Sequence, residues 1–403
     1  MAKTLFADRM QRIKPSPSSA ASQRARELKA AGRDIVSLTV GEPDFDTPAH
    51  IIEAAIIAMR AGQTRYTTVS GTNELKQAII GKFQRENGIS YAANEVMAST
   101  GAKQIIFNAF MSTVQSGDEV IIPAPYWVSY PDITLLAGGK PVQIDGRMES
   151  DFKLTPEALE AHITANTRWL VINAPGNPSG AVYSEAELLA LAEVLRRHPR
   201  IWVLSDDIYE HICFDGQKLA TLAAVAPDLK ERILTVNGVS KAYAMTGWRL
   251  GYCGGPAALI KEMSKLQSQS TTNPNSIAQA ATVAALEGPQ DFLETLRSAY
   301  QRRRDIAIEM LGAVEGLQFS RPSGAFYVFV GCEGLIGRKT ADGKVIESDR
   351  DLAEHLLEFG GVAVVHGAAF GLSPWFRISV ATSDDVLRDG LSRIAKACAV
   401  LQP

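Results

Sequence analysis

The stretch Gly238-Val239-Ser240-Lys241-Ala242-Tyr243-Ala244-Met245-Thr246-Gly247-Trp248-Arg249-Leu250-Gly251-Tyr252 decides how the rest of the chain is read. It follows a short apolar run, Ile233 to Val236, of the kind that forms a buried strand. Lys241 therefore stands just past a strand's C-terminal end, on a loop of small residues that lets a long side chain turn into a cleft. Arg249 follows, reached through Gly247 and succeeded by a second strand-like segment, Leu250 to Cys253. An amine that can condense with a carbonyl and a planar cation that can grip a phosphate are thus carried on linked loops. Most isolated Lys/Arg pairs are solvated surface charges, but the full pattern of glycines, aromatics, lysine and arginine is far more specific.

Outward from this segment, strand-like runs alternate with helical patterns. The runs Glu95 to Ala98, Glu119 to Pro123, Trp169 to Asn173 and Ile201 to Leu204 each open into a loop of distinctive residues. Such alternation predicts a doubly wound, mostly parallel α/β sheet, whose strand-end loops gather on one edge. Gly101, Ala102 and Lys103 lie where a glycine turn opens a helix, and the unpaired N–H groups there suit an anion. The spacing is not that of a Walker loop. Trp127 follows Pro125 just past a strand end, where a ring can lie flat on another ring. Asn177 is pinned between Gly176 and Pro178. Asp206 and Asp207 are adjacent, and Tyr209 follows them.

With these residues in view, the chain resembles the class I aminotransferases, pyridoxal-phosphate (PLP) enzymes of fold type I, and within them the bacterial aspartate/prephenate branch. The resemblance runs from Lys14-Pro15-Ser16 through Arg377. It implies a large domain built on a doubly wound, mostly parallel sheet and a smaller α+β domain. It implies further that Lys241 is the Schiff-base lysine, that Asp206 keeps the pyridine nitrogen protonated, and that Tyr209 and Asn177 hydrogen-bond the cofactor's phenolic oxygen. An aspartate three residues before a tyrosine selects Asp206 over Asp207, which reads as a solvated or capping carboxylate. Arg249, Ser240 and the Gly101-Ala102-Lys103 turn fall to the phosphate, and Trp127 to the ring face. Tyr66 is expected to reach the phosphate of a partner subunit, which makes the protein a homodimer with shared sites. Arg377, inside the apolar strand Phe376 to Val380, is matched to the substrate α-carboxylate, with Asn177, Trp127 and the Gly41 backbone completing that end. Lys103 and Lys14 are matched to a distal carboxylate. Ala174 and Gly176 depart from the serine or other polar residue that relatives often carry, at positions that do not supply the key amide.

The activity implied is transfer of an amino group between L-aspartate, or a related amino acid, and 2-oxoglutarate. An aromatic, branched-chain or prephenate aminotransferase and a PLP lyase need the same central residues. A non-catalytic sensor of the same fold would not need the full Lys, Asp and Arg set, and a nicotinamide dehydrogenase would need a Gly-x-Gly-x-x-Gly turn that is absent.

Composition agrees with a large globular enzyme. The chain has 403 residues, 46% hydrophobic and 21% charged, with a formal net charge of −3. No Lys/Arg run longer than Arg302-Arg303-Arg304 stands out, which argues against nucleic acid as a partner. The four cysteines lack Cys-x-x-Cys spacing, and the six histidines, His211 and His366 included, form no ligand-spaced set, so no metal is expected. No apolar run approaches the ~20 residues of a membrane span, and cytoplasmic residence is the default expectation. Residues 1–47 read as an arm and part of a small domain, 48–290 as the cofactor-binding domain, and 291–403 as a small C-terminal domain. The segment Lys14-Pro15-Ser16-Pro17-Ser18-Ser19 reads as non-helical, and Arg302-Arg303-Arg304 as a solvated helix face.

Overall fold

Apolar runs punctuated by Gly and Pro in the middle of the chain become the strands of one seven-stranded sheet. The computed structural model describes residues 5–15 and 17–403. In chain order the sheet comprises β1 (Val96–Ser99), β2 (Glu119–Ala124), β3 (Lys140–Asp145), β4 (Thr167–Asn173), β5 (Trp202–Asp206), β6 (Ile233–Gly238) and β7 (Gly251–Gly254). Their spatial order is β1-β7-β6-β5-β4-β2-β3. All neighbours are parallel except β7, which runs antiparallel to both β1 and β6.

Alternate residues of these strands feed two separate cores, which is why the runs look continuously apolar. Ile121, Leu170, Ile172 and Val203 pack on one face, whereas Val120, Ile122, Trp169, Val171 and Leu204 pack on the other. Helices cover both faces. Ala102–Thr113 lies with the second core, and Ser276–Glu287 and Glu185–Arg197 with the first.

A second sheet has three antiparallel strands, β8 (Tyr327–Gly331), β9 (Val365–His366) and β10 (Trp375–Ser379), with β10 in the middle. Arg377 on β10 pairs with Phe329 on one side and Val365 on the other. Within the run Ile35 to Val40 only Val36–Ser37 forms a strand, paired in parallel with Val362–Ala363. This end has its own core, which includes Leu38, Phe326, Val328 and Leu391 and also takes in Ile208, Tyr209 and Phe214 from the loop after β5.

The structure corrects two of the sequence readings. Helix Pro17–Ala30 begins inside the Pro/Ser segment, because a proline at a helix's first position gives up no hydrogen bond; Lys14 and Pro15 remain non-helical, and Ser16 lies outside the described residues. The arginine run is not a solvated face. Along helix Asp291–Gly312, Arg302 bonds Asp384, Arg303 is buried and clamps Asp44 at 2.9 Å and Asp384 at 3.1 Å, and buried Arg304 forks onto Asp215 at 2.7 and 2.9 Å. Among the described residues no helix is long and apolar enough to cross a membrane.

Candidate active site

Five strands of the large sheet deliver their following loops to one edge, as parallel α/β topology requires. There Ala102, Trp127, Asn177, Asp206 and Lys241 line a single cavity of about 490 Å³, joined by Gly41 and by Arg377 from the second sheet. That volume falls within the ~300–1,000 Å³ of small-ligand sites.

Asp206 closes β5 and is 4% exposed. One carboxylate oxygen accepts the Tyr130 hydroxyl at 2.5 Å and the other the Ile208 amide at 3.4 Å. Burial pushes its pKa up to about 6, against the pull of the Tyr130 hydrogen bond, the Ile208 amide and Lys241. The loop after β4 is fixed by Asn173, whose amide donates to the Asp206 carbonyl at 2.8 Å and whose oxygen accepts the Asn177 N–H at 2.9 Å.

Lys241 is half-buried, and its ammonium donates to the Gly41 carbonyl at 2.5 Å. Burial lowers its pKa to about 8; Glu42 and Asp206 oppose the shift, and Arg377 and Arg249 add to it. An amine in that range is partly unprotonated at neutral pH, as a base in catalysis must be.

Arg377 is 3% exposed. It donates to Asn177 Oδ1 at 3.0 Å and to the Thr39 carbonyl at 2.8 Å, and its guanidinium lies 4.4 Å from the Tyr327 ring and 5.0 Å from the Phe370 ring. Its Nε is buried without a partner, and the side chain pairs with no carboxylate among the described residues. A buried charge left in this state is expensive.

The anion end is built from backbone. Gly101 has φ +84°, a conformation glycine adopts without strain, and a Cβ there would run into the Arg249 guanidinium. Arg249 itself is held in the left-handed region at φ 54°, with bonds to the carbonyls of Thr246 at 3.0 Å and Thr100 at 3.5 Å. Helix Ala102–Thr113 starts immediately beside it, so its free N–H groups face the same space. Lys103 lies with its ammonium 4.9 Å from the Trp127 ring; its pKa is lowered by partial burial and by Arg249. Ser240 is buried in the cavity wall, and the Tyr209 hydroxyl meets that of Tyr327 at 2.9 Å.

Two expected residues are not brought into the cavity of their own chain. Tyr66 is 91% exposed on its loop. Lys14 is exposed, and its backbone N–H is bonded to the Asp132 carboxylate. Conversely, Tyr130, Tyr327, Arg26 and Glu42 line the cavity without having been singled out from sequence. Asp207 is not solvated: it is 2% exposed and accepts the hydroxyls of Ser205 at 2.8 Å and Thr221 at 3.0 Å, while burial and Glu210 raise its pKa to about 7. Glu86, Glu210 and His211 bring ligand atoms within 4.8 Å of one another, but the buried Lys82 ammonium already pairs with Glu210 there.

This donor set fits pyridoxal phosphate. It offers an amine of lowered pKa, a buried acid for a ring nitrogen, a glycine cradle with an arginine for a phosphate, and an unpaired buried guanidinium for a substrate carboxylate. The architecture defines a fold type I PLP-dependent transferase. A profile described as "Aminotransferase class I and II" matches residues 33–394, and the chain belongs to that family, whose cofactor is pyridoxal 5'-phosphate. It is 56% identical over 396 residues to the aspartate/prephenate aminotransferase of Cereibacter sphaeroides, covering 98% of this chain and 99% of that one. It is 54% identical to the crystal structure of the Rhizobium meliloti aspartate aminotransferase, with a TM-score of 0.97 over 99% of this chain and 100% of that one. The Thermus thermophilus aspartate aminotransferase with maleate is 44% identical, with a TM-score of 0.91 over 98% and 100% of the two chains.

Proposed function

We propose that this aminotransferase moves the amino group of L-aspartate to 2-oxoglutarate. The observation that carries the amino-acid end of the proposal is Arg377, a buried guanidinium without a carboxylate partner in the same cavity as Lys241 and Asp206. A group so costly to bury is retained where an anionic ligand completes it. The names of the relatives support aspartate, and maleate, a four-carbon dicarboxylate, is the ligand named with the Thermus enzyme.

Pyridoxal phosphate, when bound, supplies the aldehyde that takes up the amino group and a ring that accepts the electrons left when the substrate Cα–H bond breaks. This chain's residues do the rest. Lys241 would hold the cofactor's aldehyde carbon, and once freed by substrate its amine would be the base that moves the proton between the substrate Cα and the cofactor's C4′. Asp206, buried and therefore poorly screened, keeps the ring nitrogen protonated. Asn177 and Tyr209 donate to the phenolic oxygen. Gly101, Ala102 and Lys103 with Ser240 and Arg249 hold the phosphate, joined by Tyr66 from the second subunit of a homodimer. Trp127 covers the ring face. Arg377, with Asn177, Trp127 and the Gly41 backbone, fixes the α-carboxylate, and Lys103 or Lys14 reads the distal one. The division into an arm (1–47), a cofactor-binding domain (48–290) and a small domain (291–403) belongs to the same reading, with the Gly41 to Pro43 loop closing over substrate to exclude water.

Prephenate is a second acceptor to consider, because the Cereibacter relative carries it in its name. A panel of amino donors assayed against 2-oxoglutarate, and of acceptors including prephenate assayed with aspartate, tests the proposal. Aspartate with 2-oxoglutarate should give the highest kcat/KM among the donors. A clear preference for aromatic donors, or release of ammonia without an acceptor, would overturn it.

A further inference from the structure

Tyr327 comes from β8 of the small sheet, whereas Tyr209 comes from the loop after β5 of the large one. Their hydroxyls meet at 2.9 Å inside the cavity, and both rings are buried. The Tyr327 ring carries the Arg377 guanidinium at 4.4 Å, and the Tyr209 ring faces the Lys241 ammonium at 5.8 Å. The Tyr327 hydroxyl also lies against Gly41, where a Cβ would come within 3.1 Å of it. The charged groups around the pair are therefore Arg377 from β10, Lys241 from the loop after β6 and Asp206 from the end of β5.

A phenol has one proton to donate. If Tyr209 gives its proton to the cofactor's phenolic oxygen, as the function proposed above requires, the contact with Tyr327 can persist only with Tyr327 as donor. We propose that Tyr327 is a positioning residue for catalysis: it donates to the Tyr209 hydroxyl, fixes the direction of that group's own donation, and strengthens it through the two-bond chain. Because its ring also carries Arg377, the chain joins the group that binds the α-carboxylate to the group that sets the cofactor's proton affinity.

The test is the pH titration of the bound cofactor's visible absorbance in the holoenzyme, compared for the parent, Tyr209→Phe, Tyr327→Phe and the double variant. Donation to the phenolic oxygen stabilises its anionic form, so losing it moves the titration to higher pH. Tyr209→Phe should shift it upward. Tyr327→Phe should shift it by a smaller amount, a fraction of the about half to one pH unit that one direct hydrogen bond is worth. The double variant should match Tyr209→Phe alone, since Tyr327 acts only through Tyr209. A Tyr327→Phe titration equal to the parent's, or shifts that simply add in the double variant, overturns the inference while leaving Tyr209 in place. No shift with Tyr209→Phe overturns the Tyr209 assignment, and this inference with it.

Discussion

Replacing Arg377 by methionine should separate stability from activity. In the folded chain the guanidinium is 3% exposed, and burial alone pulls its pKa down, with only the neighbouring tyrosines opposing. It makes two hydrogen bonds to neutral acceptors, Asn177 Oδ1 and the Thr39 carbonyl, and lies over two rings. Truncation forfeits those contacts, about 1–3 kcal/mol for each acceptor left unpaired, but also removes a buried charge whose desolvation costs several kcal/mol. The two terms are of similar size, so Arg377→Met should melt within a few degrees of the parent. Activity follows different arithmetic. A fork that gives two charge-assisted bonds to a carboxylate is worth about 3 kcal/mol or more, which is at least a hundredfold in kcat/KM. Every amino donor carries the same α-carboxylate, so the loss should be uniform from aspartate to phenylalanine. The assays are thermal melting of the cofactor-loaded protein and kcat/KM across a donor panel; maleate should raise the melting temperature of the parent but not of the variant. A large fall in stability, or a loss confined to one class of donor, would refute the reasoning.

Three further outcomes are expected. Lys103→Ala should lower kcat/KM for aspartate and glutamate far more than for phenylalanine, and equal losses in a donor panel would remove Lys103 from the distal carboxylate. Gly101→Ala forces a side chain into a backbone with φ +84° and against Arg249; cofactor titration should show at least about a tenfold rise in Kd, the equivalent of one lost charge-assisted bond, and an unchanged Kd would count against the phosphate cradle. Asp207 is raised to about 7 in the folded chain, above its ordinary unfolded value of about 4, so it favours folding less as pH climbs from about 4 to 7. The melting temperature of Asp207→Asn relative to the parent should therefore rise across that window and level off above it, and a difference independent of pH would show that the carboxyl is already ionised when buried.

The loops that carry the site were legible because apolar runs flanked by glycine and proline mark strand ends, and parallel topology sends all those ends to one edge. The place of β7 was not: Leu250 to Cys253 reads as a strand, but nothing local says that it runs antiparallel between β1 and β6. Asp207 was misread because neighbouring strand-end residues point to opposite sides. Asp206 thus enters the cavity, while Asp207 turns to Thr221, a residue distant in sequence. The arginine run failed for a similar reason. Consecutive helical residues diverge by about 100°, which leaves Arg302 near solvent and carries Arg304 into the Asp215 carboxylate. Tyr130 and Tyr327 meet Asp206 and Tyr209 across the fold, at separations no local pattern encodes.

The proposed chemistry runs through one amine, so the most direct measurement is where the cofactor is covalently held. Loading the protein with pyridoxal phosphate, reducing it with borohydride and mapping the labelled peptide by mass spectrometry should place the added mass on Lys241 alone. Lys241→Ala should take up no label and show almost no transamination. Label on another lysine, or turnover by Lys241→Ala without added amine, would contradict the account.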